Sequence, residues 1–577
     1  MMQDLRFSQT EQVKPATFSV RRKLLLALIM LAMAVLVCRA IFLQVFDTQF
    51  LKQQGDRRHI GVVKVPAYRG KIVDRNDVPL AISTPVESVW VNPQHFKVEE
   101  QEKFRQITKL LKLPINKTNS LLNANNSKRF AYLKRRVNPV LINKIKALQV
   151  KGVYFEREFK RFYPSGAVSA HVVGFTDIDD VGQEGMERAY EQSLKGTTGK
   201  KRVIRDGKRR VINDKDIENI KAPIPGQDIV LSIDQRLQYL AFKALQSGYV
   251  EHKAFSASIV VLDAKNGEIL AAASQPAFNP NSRKGLKGHL YRNRAMLDIF
   301  EPGSTVKPFV VAAALDGGYI YEDIQIETHG FYRVGRNLVK DIHNYGTLDL
   351  MHTLKKSSNV AISKIALMMP SEYFWGKYNQ LGFGSSANAG FPGESSGELL
   401  DFNRWHDFEK ATLSYGYGVS TSTLQLARAY TALADEGVLH SVSLLKREID
   451  HDTKRVFTKK TANQVREMLE HVLKKDGTAY QARVDGYRVA GKTGTVKKAM
   501  AGGYTEDRYL AVFVGLAPAS DPRFVIAVMV DEPSAGKYYG GLVAGPIFAK
   551  AMAGALRVYG VEPDQEDTMP VLLTEAR

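Results

Sequence analysis

The sequence predicts an α+β protein of more than one domain, carried on a single N-terminal transmembrane helix. Three observations predict it. A chain of 577 residues is too long for one hydrophobic core. The stretch from Leu24 to Cys38 is apolar and uncharged. In the second half, strand-like segments early and late bracket a long helical region, which implies an antiparallel sheet built from both ends of a domain.

Composition narrows the class. Apolar residues make up 44% and charged residues 24%, as in a folded protein. An excess of 81 basic over 60 acidic residues gives a net charge of +21. Nucleic acid, anionic membrane or an acidic polymer could answer such a charge. The basic residues are spread along the chain and no nucleic-acid motif accompanies them, so the charge reads as solvated surface and no nucleic-acid partner is expected. Cys38 is the only cysteine, which rules out an intramolecular disulfide and a Cys-rich metal site.

The first element is the membrane segment. Leu24 to Leu43 supplies the roughly 20 helical residues that cross a hydrocarbon core of about 30 Å, with Arg39 close enough to one end to snorkel. Arg21, Arg22 and Lys23 precede it and place the N-terminus in the cytoplasm. A cleaved signal peptide is the alternative, but Ala32-Met33-Ala34 lies inside the apolar run rather than after it. Val37, bulky, stands where a lipoprotein site at Cys38 calls for a small residue. An uncleaved anchor over 24–46 is therefore expected, with a cytoplasmic tail at 1–23.

Residues 47–225 then read as an extended α+β module. "YRGKIVDRNDVPLA" alternates around an Asn-Asp turn, as an extended or hairpin segment does. Residues 95–150 read as mainly helical, with "FRQITKLLKL" and "VLINKIKALQV" amphipathic. "RVIRDGKRRVI" signals a hairpin at Asp206-Gly207. "APIPGQD" is a linker by its Pro and Gly content. After it come a helix capped by Asp234, two buried strands around Asn266-Gly267, helical runs, and the late strands "YLAVFVGLAP" and "RFVIAVMVDEP". This second domain is expected over 226–562, with a C-terminal tail at 563–577.

The chemistry concentrates in that second domain. "FEPGSTVKPF" carries Ser304-x-x-Lys307. The pattern alone is weak, because Ser443 and Lys446 repeat it. The repeat lies in a strand-like segment, where residues three apart face opposite ways. "GSTVKPFVVAAALDGG" reads as a helix from near Ser304 to Gly317, on which residues three apart share a face. A helix N-terminus favours negative charge, and Pro308 denies the Ser304 carbonyl its i+4 donor, so a local distortion is expected. A serine needs a neighbour to take its proton. A lysine can do so only if neutral, which requires desolvation or nearby positive charge. A second cation and a polar partner should therefore exist.

Two further segments supply them. "KKSSNV" offers Ser357 and Asn359, whose side chains converge best from a loop; a helix cap is the plain alternative. The same pattern recurs at Ser386 and Asn388. "RVAGKTGTVKK" offers Lys492-Thr493-Gly494-Thr495 on a strand. Gly494 allows close approach of another backbone. Thr493 and Thr495 share a face suited to a carboxylate, and Lys492 comes from the other. An ordinary Gly-containing strand is the alternative. Ser-x-x-Lys, Ser-x-Asn and Lys-Thr-Gly in this order are the set of penicillin-recognising serine acyl-transferases.

The sequence resembles class B penicillin-binding proteins, and most closely the division-specific septal D,D-transpeptidases of Gram-negative bacteria. The resemblance runs from the anchor nearly to the C-terminus, through "RGKIVDRNDVPLA", "RFYPSGAVSAHVVGFTD", "GQEGMERAYE", "FEPGSTVKPF", "KSSNVAISKIAL", "YGYGVSTSTLQLARAY", "GKTGTVKK" and "GKYYGG". It implies a non-catalytic pedestal over 47–225 and a transpeptidase domain over 226–562, an antiparallel sheet flanked by helices with a helical subdomain. It implies Ser304 as nucleophile, Lys307 as its base, Ser357 as proton shuttle, Asn359 as the group that orients Lys307 and the donor amide, and Lys492 as a source of positive field. The backbone N–H groups of Ser304 and Thr495 would form the oxyanion hole. Thr493, Gly494 and Thr495 would hold the terminal carboxylate of a peptidoglycan stem peptide, or that of a β-lactam. Tyr509, Tyr538 and Tyr539 stand where the family has an aromatic wall, with core packing as the alternative.

No metal or phosphate-binding motif is present, so no cofactor is expected. Glycan polymerisation would fall to a partner, which the family implies to be a polytopic SEDS-type glycosyltransferase alongside other divisome membrane proteins. Rival readings are a D,D-carboxypeptidase or β-lactamase, in which water resolves the acyl-enzyme, an elongation-specific relative, and a catalytically silent scaffold or β-lactam sensor.

Overall fold

The structure is a computed structural model, and it describes residues 19–93, 100–122, 130–205, 211–213, 219–282, 287–447, 452–500 and 503–565. Most of the expected N-terminal tail, the Asp206-Gly207 turn and the C-terminal tail past residue 565 lie outside the described residues. The chain forms two compact units, one of residues 1–66 with 198–224 and one of 67–197 with 225–577.

In the first unit an α-helix, Ser19–Ile41, continues through one π-helical turn, Phe42–Phe46, and buries none of its residues. These 28 residues rise about 42 Å, more than a bilayer core needs. An apolar helix of this length with no covered face is stable in lipid rather than water, and it is the expected membrane anchor. The unit also holds a small sheet in which Ile60–Val65 pairs antiparallel with Gly199–Arg205, itself paired with Val211–Asn213 and Asn219–Lys221. The two strands of the expected 202–212 hairpin are therefore present.

The second unit begins with the hairpin Ile72–Val73 and Pro79–Val91, whose turn is held by Asp74 Oδ1 accepting from the N–H groups of Asn76 and Val78. Strands Ala131–Val137 and Val153–Phe162 flank the longer strand, and helices Gln101–Leu110 and Pro139–Ala147 share a core with these strands through Phe104, Ile107, Ile142, Ile145, Val89 and Leu133. The mainly helical reading of 95–150 holds for helices Gln101–Leu110, Ile115–Leu122 and Pro139–Ala147, and the strand Ala131–Val137 is the exception to it. Its alternation is short and broken by a register shift, and it is pinned by pairing with Pro79–Val91, which no local pattern announces. Three of the segments that carried the family resemblance meet at one buried cluster. Arg69 Nε and Arg161 Nε each lie 2.6 Å from the Glu187 carboxylate, and Arg69 also reaches Glu191.

The later part of this unit is built on a five-stranded antiparallel sheet. Its strands are β1 (Ser256–Asp263), β2 (Ile269–Gln275), β3 (Ala490–Met500), β4 (Gly503–Ala517) and β5 (Phe524–Asp531), in the order β2-β1-β5-β4-β3. Early and late strands thus close one sheet around a helical insert, as expected. β1 and β5 are buried at every residue, which explains the apolar runs at 259–262 and 524–530. Helices α1 (Gln235–Glu251), α2 (Lys307–Asp316), α3 (Leu350–Lys356), α4 (Asn359–Met368), α5 (Thr423–Ala434) and α6 (Gly540–Val558) complete the framework. Asp234 caps α1 by accepting from Arg236 N–H, as its position predicts. α1 and α6 pack closely enough that a Cβ on Gly248 would stand 2.3 Å from Ile547 Cδ1. α6 is apolar enough to cross a membrane, yet over half of it is buried against this core.

Candidate active site

Ser304 lies on a 3₁₀ turn, Gly303–Val306, that runs straight into α2. Lys307 N–H donates to the Ser304 carbonyl and closes the turn. Pro308 has no N–H to offer that carbonyl, so the helix tightens at its start, and the expected distortion takes this form. Side chains at i and i+3 eclipse on a 3₁₀ turn, so Ser304 and Lys307 share one face of it. Gly303 adopts φ +55°, and a Cβ there would stand 2.4 Å from Val496 Cγ2 on β3. Gly494 meets the same turn from the other side, where a Cβ would stand 2.9 Å from the Pro302 carbonyl oxygen. Two glycines thus let β3 run alongside the serine.

Lys307 is completely buried. Its Nζ donates to the Ser357 carbonyl at 2.6 Å and to Asn359 Oδ1 at 2.7 Å, with Ser357 Oγ at 3.3 Å. Ser357 closes α3 in the left-handed region (φ 59°, ψ 42°), and Asn359 opens α4. The two side chains therefore converge across a tight inter-helix turn, as the loop reading required. The cap reading is also realised, by the residue between them, because Ser358 Oγ accepts from Ala361 N–H at 3.0 Å.

Lys492 on β3 is also completely buried, and its Nζ donates to Ser357 Oγ at 2.9 Å. Ser357 Oγ thus sits between the two ammonium positions. Burial pushes Lys492 down to about 7. Burial and, next, the Lys492 charge hold Lys307 well below the usual lysine range, against a smaller upward pull from Asp341. Among the described residues neither lysine has a carboxylate in ion-pair contact. The second cation required by the sequence argument is Lys492, and the polar partners are Ser357 and Asn359.

The remaining predicted residues line the same strand. Thr493 Oγ1 donates to Thr478 Oγ1 at 3.0 Å, and Thr495 Oγ1 accepts from Gly540 N–H at 3.0 Å. β3 is the sheet's edge strand, so alternate N–H groups point away from β4. Tyr509 and Tyr538 stack at 4.3 Å and 17°, and Tyr538 and Tyr539 at 4.6 Å and 30°. Tyr539 is 46% exposed and immediately precedes Gly540. The core-packing alternative for these tyrosines does not hold, since they form a surface wall beside Thr495.

The competing motifs fall elsewhere. Ser443 Oγ bonds to the Leu445 carbonyl while Lys446 Nζ reaches the Arg75 carbonyl. Ser386 Oγ reaches Glu394, and Asn388 turns the chain at φ 57°. Asp341 and Thr478 are the residues the sequence reading missed. Asp341 bonds to Ser358, Asn359 and Val360 from a hairpin end 17 residues upstream of Ser358. A lone aspartate carries no spacing signal, and only the need for an anion at the start of α4 could have pointed to it. Among the described residues no group of three or more His, Cys, Asp or Glu could hold a metal ion.

A buried lysine of lowered proton affinity one turn from a serine, with a second buried lysine close by, is the equipment of serine acyl transfer. Comparison with known proteins gives the same class. Residues 257–553 match the penicillin binding protein transpeptidase domain, and residues 64–231 match the penicillin-binding protein dimerisation domain. The probable peptidoglycan D,D-transpeptidase PenA of Neisseria meningitidis serogroup A is 41% identical over 98% of this chain and 97% of its own. The peptidoglycan D,D-transpeptidase FtsI of Escherichia coli K12 is 40% identical over 94% of this chain and 92% of its own. The transpeptidase domain of Burkholderia pseudomallei penicillin-binding protein 3 is 39% identical, with a TM-score of 0.54, covering 58% of this chain and 98% of that one. The chain belongs to the penicillin-binding, FtsI/PenA-type family of peptidoglycan D,D-transpeptidases.

Proposed function

We propose that this chain cross-links peptidoglycan stem peptides at the division septum through a Ser304 acyl-enzyme, and that β-lactams inhibit it by acylating the same oxygen. One observation carries the mechanism. A neutral lysine amine has two N–H donors and one lone pair. The two short bonds of Lys307 Nζ, to the Ser357 carbonyl and Asn359 Oδ1, use both donors. The lone pair is left for the Ser304 hydroxyl proton.

In the first half-reaction Ser304 Oγ bonds to the carbonyl carbon of the penultimate D-Ala, and its proton passes to Lys307 Nζ. The oxyanion is received by the backbone N–H groups of Ser304 and Thr495, which need no reorganisation. The bond to the terminal D-Ala nitrogen breaks, and that nitrogen takes a proton through Ser357 Oγ, which lies within 3.3 Å of Lys307 Nζ and 2.9 Å of Lys492 Nζ. In the second half an amine of a neighbouring stem attacks the ester, loses its proton to Lys307, and regenerates Ser304. Thr493, Gly494 and Thr495 hold the terminal carboxylate in the field of Lys492, and Tyr509, Tyr538 and Tyr539 wall the cleft. In a β-lactam the ring amide opens instead, and the amine stays attached.

The reading extends to topology. Arg21, Arg22 and Lys23 support a cytoplasmic tail over 1–23, an anchor over 24–46, and a periplasmic pedestal (47–225), transpeptidase domain (226–562) and tail (563–577). A SEDS-type glycosyltransferase and other divisome membrane proteins are its partners, delivering nascent glycan at the septum.

Fluorescent penicillin tests the nucleophile. Wild type gains a covalent label and Ser304→Ala gains none; equal labelling of the two overturns the assignment. A D-Ala-D-Ala thioester with a D-amino acid acceptor then tests transfer. Hydrolysis without transfer to the amine replaces the transpeptidase reading with a carboxypeptidase or β-lactamase.

A further inference from the structure

The turn that carries Ser357 and Asn359 is held from behind by the end of a β-hairpin. Asp341 follows the strand Asn337–Lys340, and its own N–H donates to the Gly330 carbonyl at 3.0 Å, which fixes it to the hairpin's start. Asp341 Oδ1 accepts from the N–H groups of Asn359 at 2.5 Å and Val360 at 3.0 Å. Oδ2 accepts from Ser358 Oγ at 2.5 Å. A carboxylate here satisfies donors that the first turn of α4 would otherwise leave open. Next to it, the Lys340 carbonyl accepts from Asn359 Nδ2 at 3.3 Å, which leaves Oδ1 as the atom that meets Lys307.

We propose that Asp341 is a positioning residue for acyl transfer, holding the Ser357–Asn359 turn against Lys307 and placing a negative charge behind that lysine. This rests on the assignment of Lys307 as the base. The charged groups around that base are few. β3 brings Lys492, and the hairpin brings Asp341. α3 ends in Lys355 and Lys356, which both pair with Asp476. α4 carries Lys364, whose Nζ reaches the Glu327 carbonyl. α2 ends in Asp316, and the helix packed on it (Ser371–Gln380) carries Lys377, and these two pair with each other. The Asp341 charge favours the protonated form of Lys307. Removing it makes Lys307 neutral at lower pH, while loosening the turn slows the reaction.

The test is the rate of fluorescent-penicillin acylation by the full-length protein in detergent, followed across pH, with thermal unfolding as the control for folding. Asp341→Asn lowers the maximal rate about tenfold or more, and the acid limb of the profile moves to lower pH. Ser358→Ala removes one hydrogen bond and keeps the charge, so the rate falls and the limb stays. Asp341→Glu restores the charge and returns the limb to its wild-type position. An Asn variant with the wild-type limb, slower or not, overturns the proposal, because a purely structural role changes rate alone. If the Asn variant does not fold, the Glu variant decides, and a displaced limb in it overturns the proposal. Labelling of Ser304→Ala would strike the nucleophile assignment itself, which is read separately from the limb.

Discussion

Two buried lysines that have no ion-pair partner among the described residues are the least expected feature of this site on general grounds, because a buried ammonium without a contacting anion is expensive. Each resolves the conflict by holding its proton weakly. The consequence is testable through the neighbour. The Lys492 charge lowers the proton affinity of Lys307, so Lys492→Ala lets Lys307 keep its proton to higher pH. The acid limb of the acylation profile should then move to higher pH, opposite to the shift expected for Asp341→Asn. Lys307→Ala leaves Ser304 without a base, and acylation should fall by about 10² to 10⁴, the range typical of general-base loss. The stability of the wild type carries a related sign. Lys492 has a folded value of about 7 against the ordinary lysine value of 10.5, so the unfolded state binds more protons between them and stability rises with pH across that window. Melting temperature should climb more steeply over that range in wild type than in Lys492→Met.

At the scale of elements, the site exists because β3 and the Ser304 turn approach closely. Gly303 and Gly494 are the residues that permit it, each with no room for a side chain. Gly494→Val should lower acylation about tenfold or more while lowering melting temperature by only a few degrees, since it displaces the strand rather than emptying the core. Equal loss of both would mean that the glycine serves folding alone. Much of this level was legible. Helix phase separated Ser304-Lys307 from Ser443-Lys446, Pro308 announced the distorted helix start, and Asn266-Gly267 marked the β1–β2 hairpin. The strand Ala131–Val137 was not legible, because its identity comes from pairing with Pro79–Val91 rather than from its own alternation. Asp341 was not legible either, since its partners are distant in sequence.

For the whole molecule, the N-terminal helix, Ser19–Ile41 with its π turn, and the catalytic fold make different demands of the solvent. The helix buries none of its residues, while α6, less apolar but still apolar enough to cross a membrane, is over half buried against the core. Leu31→Arg with Val35→Arg places two charges in the membrane helix, each costing about 2.5 to 3.5 kcal/mol at the helix centre. The variant should leave the membrane pellet under alkaline wash, whereas wild type stays. Fluorescent-penicillin labelling should be unchanged, because every site residue lies between Ser304 and Tyr539.

The sequence by itself determined the anchor helix, the sheet closed by early and late strands, and the three motifs of the site. These are properties of composition, period and residue order, and they survive without coordinates. Only the tertiary structure decided that Lys307 and Lys492 share Ser357, that Tyr509, Tyr538 and Tyr539 stack at the surface instead of filling a core, and that Asp341 bonds to the Ser358–Val360 turn. Burial and proton affinity depend on which distant segments surround a group, and chain order alone does not contain that information.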